Sequence, residues 1–154
     1  SWTNYEQTFV TLLESARRWN ISHAVFGDVF PDTHRQWAEK VCHAAGLTAV
    51  EPLWGEPTAT LAAEFIARGG RAMIVTVNAA SLGREWLGRT LTLKLLDRLR
   101  ALGVDPGGEN GEFHTVVTGF PGFAHDISLR AQATLEHDGC YLLELEPVRR
   151  ETSA

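Results

Sequence analysis

The order of the sequence elements predicts an α/β fold, in which a parallel sheet carries helices on both faces and an antiparallel β meander follows it. Two observations predict this class. Residues 1–103 alternate short β-prone runs with stretches of helical period, whereas residues 104–150 hold three strand-like runs with no helix between them. We therefore expect a single domain over residues 1–154, with an α/β part first and a glycine-rich loop and meander second.

The first part predicts four helices and three strands. Apolar residues recur at helical spacing, and glycines or polar residues stand where helices should end, in residues 3–20, 31–46, 61–70 and 91–103. The β-prone runs between them are residues 22–26, 48–53 and 72–77. The third run is nearly all apolar, as expected of a strand covered on both faces, so we expect it to join the parallel sheet.

The second part predicts the meander. Its strand-like runs are residues 113–118, 127–135 and 141–148, and the middle run alternates cleanly between apolar and polar side chains. His137-Asp138-Gly139 is typical of a hairpin turn between the last two strands.

Composition excludes several classes of protein. No apolar run is long enough to span a bilayer, and the first residues do not resemble a signal peptide, so we expect no membrane association. Two isolated cysteines are typical of free thiols in a reducing, cytoplasmic compartment, and no Cys-x-x-Cys or His-x-x-x-His spacing predicts a structural zinc site. The net charge of −5 and the absence of a basic cluster beyond Arg149-Arg150 argue against broad nucleic-acid binding.

The loops after the predicted strands indicate a ligand site, because parallel sheets bind ligands beyond the carboxyl ends of their strands. Gly27-Asp28 and Trp54-Gly55 follow the first two strands, and Arg84 and Arg89 lie in the segment after the third. These arginines are candidates to bind an anion. Other roles for these residues stay open. Asp28 could cap the next helix, Trp54 could pack beneath the site or stack on a base, and Arg84 could lie on a solvated helix face.

Residues 103–115, which we call the acidic loop, carry the most concentrated set of functional side chains. Glycines allow a tight turn close to a ligand, and Glu109, Asn110, Glu112 and His114 could together hold a metal, an ammonium group or a reacting carboxyl. In a strand, Glu112 and His114 would share one face, with Thr115 on the other. We expect this loop to approach Asp28 at the ligand edge of the sheet; the alternative is a solvated acidic turn.

Four motifs occur in an order and spacing that resemble a known family: Phe26-Gly-Asp28, Pro52-Leu-Trp-Gly55, Leu82-Gly-Arg-Glu-Trp-Leu-Gly-Arg89 and Asp105-Pro-Gly-Gly-Glu-Asn-Gly-Glu-Phe-His-Thr115. They resemble the diphthine–ammonia ligase family of the N-type ATP pyrophosphatase superfamily, in the form of its bacterial branch. The resemblance implies an adenine nucleotide alpha-hydrolase-like, Rossmann-like fold. One departure is that the family's Ser-Gly-Gly-Lys-Asp-Ser phosphate loop is absent, so we expect a fragment, a split protein or a domain that has lost ATP hydrolysis.

The resemblance implies ATP-dependent amide formation, in which a substrate carboxyl is adenylated, pyrophosphate leaves, and ammonia displaces AMP. ATP and Mg²⁺ would be the cofactors, and the acceptor would be an unidentified carboxylate, with a cobalamin-related compound as one candidate. Two sets of residues follow from it. The nucleotide side holds Gly27, Asp28, Trp54 and Gly55; the acceptor or ammonia side holds Glu109, Asn110, Glu112 and His114, with Arg84, Arg89 and Thr115 near the substrate. The alternatives are a non-catalytic nucleotide-binding module and a tRNA-modifying ATP pyrophosphatase, and a homodimer is one option for the assembly.

Overall fold

A computed structural model describes residues 2–148 of the chain, with side chains from residue 4 onwards. The Arg149-Arg150 pair and the end of the predicted meander lie outside the described residues. The chain divides into two compact units, Ser1–Pro57 and Thr58–Ala154.

The first unit contains two helices and two parallel strands. Helix α1 spans Trp2–Ala16, β1 His23–Val25, α2 Asp32–Ala45 and β2 Thr48–Val50. The strands pair in register, with Ala24 opposite Ala49. As the sequence predicts, α2 ends at Gly46, whose left-handed φ of 71° lets its N–H bond the carbonyls of the last helical turn.

The second unit is built on an antiparallel sheet. Its elements are α3 Thr58–Ala67, β3 Arg71–Asn78, α4 Leu93–Ala101, β4 Phe113–Gly119, β5 Leu129–His137 and β6 Cys140–Pro147. The strand order is β4-β3-β6-β5, so β3 lies inside the sheet and β4 and β5 lie at its edges. The predicted meander is confirmed, and its hairpin turns at Asp138 and Gly139, both of which adopt positive φ.

The predicted fold class is confirmed, but the predicted place of the third strand is wrong. We expected residues 72–77 in the parallel sheet, whereas β3 runs antiparallel to both β4 and β6. Its apolar run reflects burial, because Ile74 and Val77 are both fully buried, and burial does not report the direction of the neighbouring strands.

The core of the second unit forms between β3 and α4. Ile74, Val77 and Leu99 are completely buried there, and Phe113 at the start of β4 is 3% exposed. The N-terminus of α4 is capped by Thr92, whose hydroxyl accepts from the Leu95 N–H at 3.2 Å. This packing fixes the C-terminal end of β3 and the start of β4, which border the acidic loop. In the described part of the chain, no helix has the length and apolar character needed to cross a bilayer.

Candidate functional site

The acidic loop is closed from within by Asp105. One carboxylate oxygen of Asp105 accepts a hydrogen bond from the Thr58 hydroxyl at the start of α3, and the other accepts from the Glu109 N–H at 3.0 Å. The Asp105 carbonyl accepts from the Gly108 N–H at 3.0 Å. Asp105 therefore anchors the first turn of the loop to a helix of the same unit.

Glu112 closes the other half of the loop. Its half-buried carboxylate accepts from the N–H of Asp105 at 3.2 Å, from the N–H of Asn110 at 3.1 Å and from the Asn110 carboxamide at 3.2 Å. The Glu112 carbonyl accepts from the N–H of Asn78 at 2.8 Å, which ties the loop to the end of β3. Glu112 and Asn110 thus contact each other, and their predicted place in a site stays a prediction.

The glycines meet two different requirements of this loop. Gly108 has a φ of 74°, and a Cβ placed there would lie 2.8 Å from the Phe113 carbonyl oxygen. Gly111 has a φ of 79° but open space around the Cβ position, so only its backbone conformation favours glycine. Gly107 packs closely, since a Cβ there would lie 2.9 Å from the Cβ of Thr58.

A cleft of about 360 Å³ opens beside the loop and the start of β4. It is lined by Gly107, Gly108, Glu109, Gly111, Phe113, His114 and Thr115. Phe113 is buried, whereas His114 and Thr115 are both exposed, so burial does not follow a simple alternation at the start of β4. Within residues 2–148 the His114 imidazole has no hydrogen-bond or ion-pair partner, so its ring nitrogens are available to a molecule in the cleft.

The two predicted arginines have different surroundings. The Arg84 guanidinium pairs with Glu136 at 2.5 Å and lies 4.4 Å from the ring centroid of Tyr141, so it is already engaged by the β5–β6 hairpin. Arg89 donates from Nε to the Glu85 carbonyl at 2.6 Å and lies 5.4 Å from the Trp86 ring centroid.

Sequence reasoning missed Arg98, whose guanidinium lies 5.5 Å from the ring centroid of Trp86. Arg89 and Arg98 therefore stack on one indole, and neither has a carboxylate partner in the part of the chain that the structure describes. Arg98 lies nine residues after Arg89, and no feature of the sequence indicates that both side chains contact the same ring. Two guanidiniums on one ring provide planar donors for a carboxylate or phosphate.

In the first unit, Asp28 lies in a second cleft, of about 350 Å³, lined by Tyr5, Asp28, Thr33, His34 and Trp37. The Asp28 carboxylate binds the His34 imidazole at 2.9 Å, in the first turn of α2. Tyr5 stacks on Trp37 with ring centroids 5.9 Å apart. The Trp37 indole N–H is buried, and it has no hydrogen-bond partner among the described residues.

The His34 contact was also missed, because an isolated histidine has no ligand spacing. The Asp28 carboxylate contacts this side chain in the first turn of α2, and Pro31 stands at the N-cap position without a side-chain cap. A role of Asp28 in nucleotide binding stays a prediction. An aspartate–histidine pair beside two stacked aromatic rings can bind a planar, partly polar ligand.

The loop after β2 surrounds Trp54 and Gly55. Arg35 lies 5.3 Å from the Trp54 ring centroid, and its Nε pairs with the buried Glu51 carboxylate at 3.3 Å. Gly55 has a φ of 79° and donates to the Val29 carbonyl at 3.1 Å, which links this loop to the one that follows β1. Trp54 therefore already stacks on a cation of its own unit.

Glu51 also affects the neighbouring thiol. Burial, followed by the negative charge of Glu51, raises the pKa of Cys42 above its ordinary value of 9.0. In residues 2–148 no three His, Cys, Asp or Glu side chains converge in a group that could hold a metal ion. The predicted approach of the acidic loop to Asp28 joins residues of both units and stays a prediction.

Comparison with known proteins identifies relatives of this chain. Residues 57–145, more than half of the chain, match the sequence model of a family described as the diphthamide synthase C-terminal domain. Two curated relatives are both named diphthine–ammonia ligase. The protein of Schizosaccharomyces pombe is 31% identical over 122 residues, which are 75% of this chain and 20% of that protein. The protein of Danio rerio is 31% identical over 115 residues, which are 72% of this chain and 45% of that protein. The chain thus spans less than half the length of either relative.

Proposed function

The chain belongs to the diphthamide synthase C-terminal domain family, and from this premise we propose that it is part of an ATP-dependent ligase that forms an amide from a carboxylate and ammonia. In the proposed reaction, ATP adenylates the carboxyl group, pyrophosphate leaves, and ammonia displaces AMP. The observation that carries the proposal is that the matched residues 57–145 include every residue lining the acidic-loop cleft. The names of both curated relatives support the same class of reaction.

We propose the Asp28 cleft as the nucleotide side, with Gly27, Trp54 and Gly55 in the loops beside it. The stacked rings of Tyr5 and Trp37 provide an apolar wall for a base or ribose, and the Asp28 carboxylate provides a polar contact that fixes orientation. Mg²⁺ commonly binds through one or two carboxylates together with substrate phosphates and water. Asp28 fits that requirement, and the ion would neutralise phosphate charge.

We propose the acidic-loop cleft as the acceptor and ammonia side. His114 and Glu109 line it, Thr115 borders it, and Asn110 and Glu112 shape the loop that forms its wall. His114 would accept the proton that the ammonia nitrogen loses as it attacks the acyl-adenylate.

For the anionic part of the substrate we propose Arg89 together with Arg98, because Arg84 is already paired with Glu136. A cobalamin-related carboxylate is one acceptor to test. A homodimer stays a prediction, which sedimentation of the purified protein would check.

Equilibrium binding and turnover of the full-length protein test this proposal. AMP and ATP binding is measured by calorimetry, and pyrophosphate release is followed with ATP, ammonium and a panel of carboxylic acids that includes cobalamin precursors. We expect the protein to bind nucleotide and Asp28→Asn to weaken that binding. Glu144 is an exposed residue on β6, and Glu144→Gln should leave nucleotide binding unchanged. The absence of nucleotide binding would refute the proposal. If nucleotide binds and His114→Ala does not change that binding, but no carboxylic acid is turned over, the protein would instead be a non-catalytic nucleotide-binding module.

A further inference from the structure

We propose that Glu112 is a positioning residue, which holds the acidic loop from inside, and that His114 is the side chain through which the start of β4 contacts the ligand. A carboxylate at this position would otherwise be the first candidate for a general base. The part of this inference that concerns turnover rests on the proposed function, whereas the part that concerns the loop does not.

The contacts of Glu112 support the first part. Its carboxylate accepts three hydrogen bonds, which come from both ends of the loop: one from Asp105 at the start and two from Asn110 near the tip. An ionised carboxylate offers about four acceptor sites, so most of its capacity is used inside the protein. A substrate could reach this group only by displacing donors that define the shape of the loop.

The other carboxylate at the base of the loop is used in the same way. Asp105 accepts from the Thr58 hydroxyl and the Glu109 N–H. The N–H groups of Gly108 and Gly111 bond to carbonyls of the loop itself. These backbone donors therefore have internal acceptors, and the loop differs from the open amide nests that bind external anions.

The position of Glu112 also determines where His114 lies. The Glu112 carbonyl bonds to Asn78 at the end of β3. The next residue, Phe113, is buried beside Gly108, and His114 after it is exposed. The His114 imidazole lines the cleft and has no hydrogen-bond or ion-pair partner within residues 2–148. Loss of the Glu112 contacts would therefore displace the imidazole without removing it.

An NMR titration of the full-length protein tests the loop directly. The side-chain carboxyl carbons of Asp105, Glu109 and Glu112 are followed with pH, together with the backbone amides of Asp105, Glu109 and Asn110. We expect the Asp105 and Asn110 amides to shift with the Glu112 carboxyl and the Glu109 amide to shift with Asp105.

Glu112→Gln should abolish the Glu112-linked shifts, and the matched control Glu144→Gln should preserve them. The inference would be overturned if the Asp105 and Asn110 amide shifts did not follow the pH dependence of the Glu112 carboxyl, or if they persisted in Glu112→Gln.

A pH–rate profile separates positioning from proton transfer. If Glu112 positions the loop, Glu112→Gln lowers kcat by a factor on the order of 10², as misplacement of a reacting group can, but keeps the limb of the profile that His114 produces. His114→Gln should remove that limb. Loss of the limb in Glu112→Gln, with His114→Gln keeping it, would show that Glu112 transfers the proton and would refute our assignment. A wild-type protein with the expected amide shifts but without turnover would refute the proposed function and leave the positioning role intact.

Discussion

Replacement of Gly108 by alanine tests the close packing of the acidic loop. Gly108 combines a left-handed φ of 74° with a carbonyl oxygen 2.8 Å from the place where a Cβ would lie. Gly111, three residues later, has nearly the same φ of 79° with no atom within 4 Å of its Cβ position. The pair therefore separates the cost of backbone conformation from the cost of steric overlap within one loop.

The expected magnitudes follow from these two environments. A left-handed conformation costs an alanine about 1–2 kcal/mol. The smaller conformational entropy of the unfolded alanine chain offsets about 0.4–1 kcal/mol of that. Gly111→Ala should therefore lower the free energy of unfolding by about 1 kcal/mol in net terms. Gly108→Ala adds an overpacking cost of about 1–3 kcal/mol, because the obstructing atom belongs to the backbone of Phe113 and cannot rotate away.

Amide hydrogen exchange measures this difference in the unit concerned. The amides of Ile74 and Val77, at the buried centre of the sheet, report the opening free energy of the second unit. We expect Gly108→Ala to reduce their protection by about 1–3 kcal/mol more than Gly111→Ala does. Equal losses for the two variants would mean that Gly108 is not packed against the start of β4, and the close packing of the loop would be refuted.

Three further perturbations have defined outcomes. The pKa of Cys42 is raised in the folded state above the ordinary value of 9.0, so the folded protein should lose stability as the pH rises above 9.0. Urea unfolding at several pH values should show this loss, and Cys42→Ala should not show it. Arg84→Ala breaks an ion pair with Glu136 whose side chains are 56% and 60% exposed, so we expect a loss of only about 0.5 kcal/mol that disappears in unfolding experiments at high salt. Leu99→Ala empties a fully buried position in α4 and should cost about 2–5 kcal/mol, measured by the same unfolding curves; a loss below about 1 kcal/mol would contradict the assigned core.

Local sequence signals predicted the elements that depend on local physics. Gly46 ended α2 because a left-handed cap needs glycine, and Asp138-Gly139 formed the hairpin turn because both residues tolerate positive φ. Each of these outcomes depends on a few consecutive residues, so the sequence contains the information needed.

Contacts between residues distant in sequence could not be predicted in this way. Three contacts depend on how helices and strands pack. They are the stacking of Arg98 on the Trp86 ring that Arg89 also contacts, the ion pair of Arg84 with Glu136, and the hydrogen bond of Thr58 to Asp105. Residue type predicted that these side chains are polar, but not which of them already have partners.

The sequence by itself determined the α/β class, the meander, the glycine-dependent turns and the motifs that resemble the family. Only the tertiary structure decided the direction of β3 and the internal use of the Glu112 carboxylate. The physical reason is that hydrophobic pattern and backbone preference act over a few residues, whereas strand direction and hydrogen-bond partners are decided by groups brought together from distant parts of the chain.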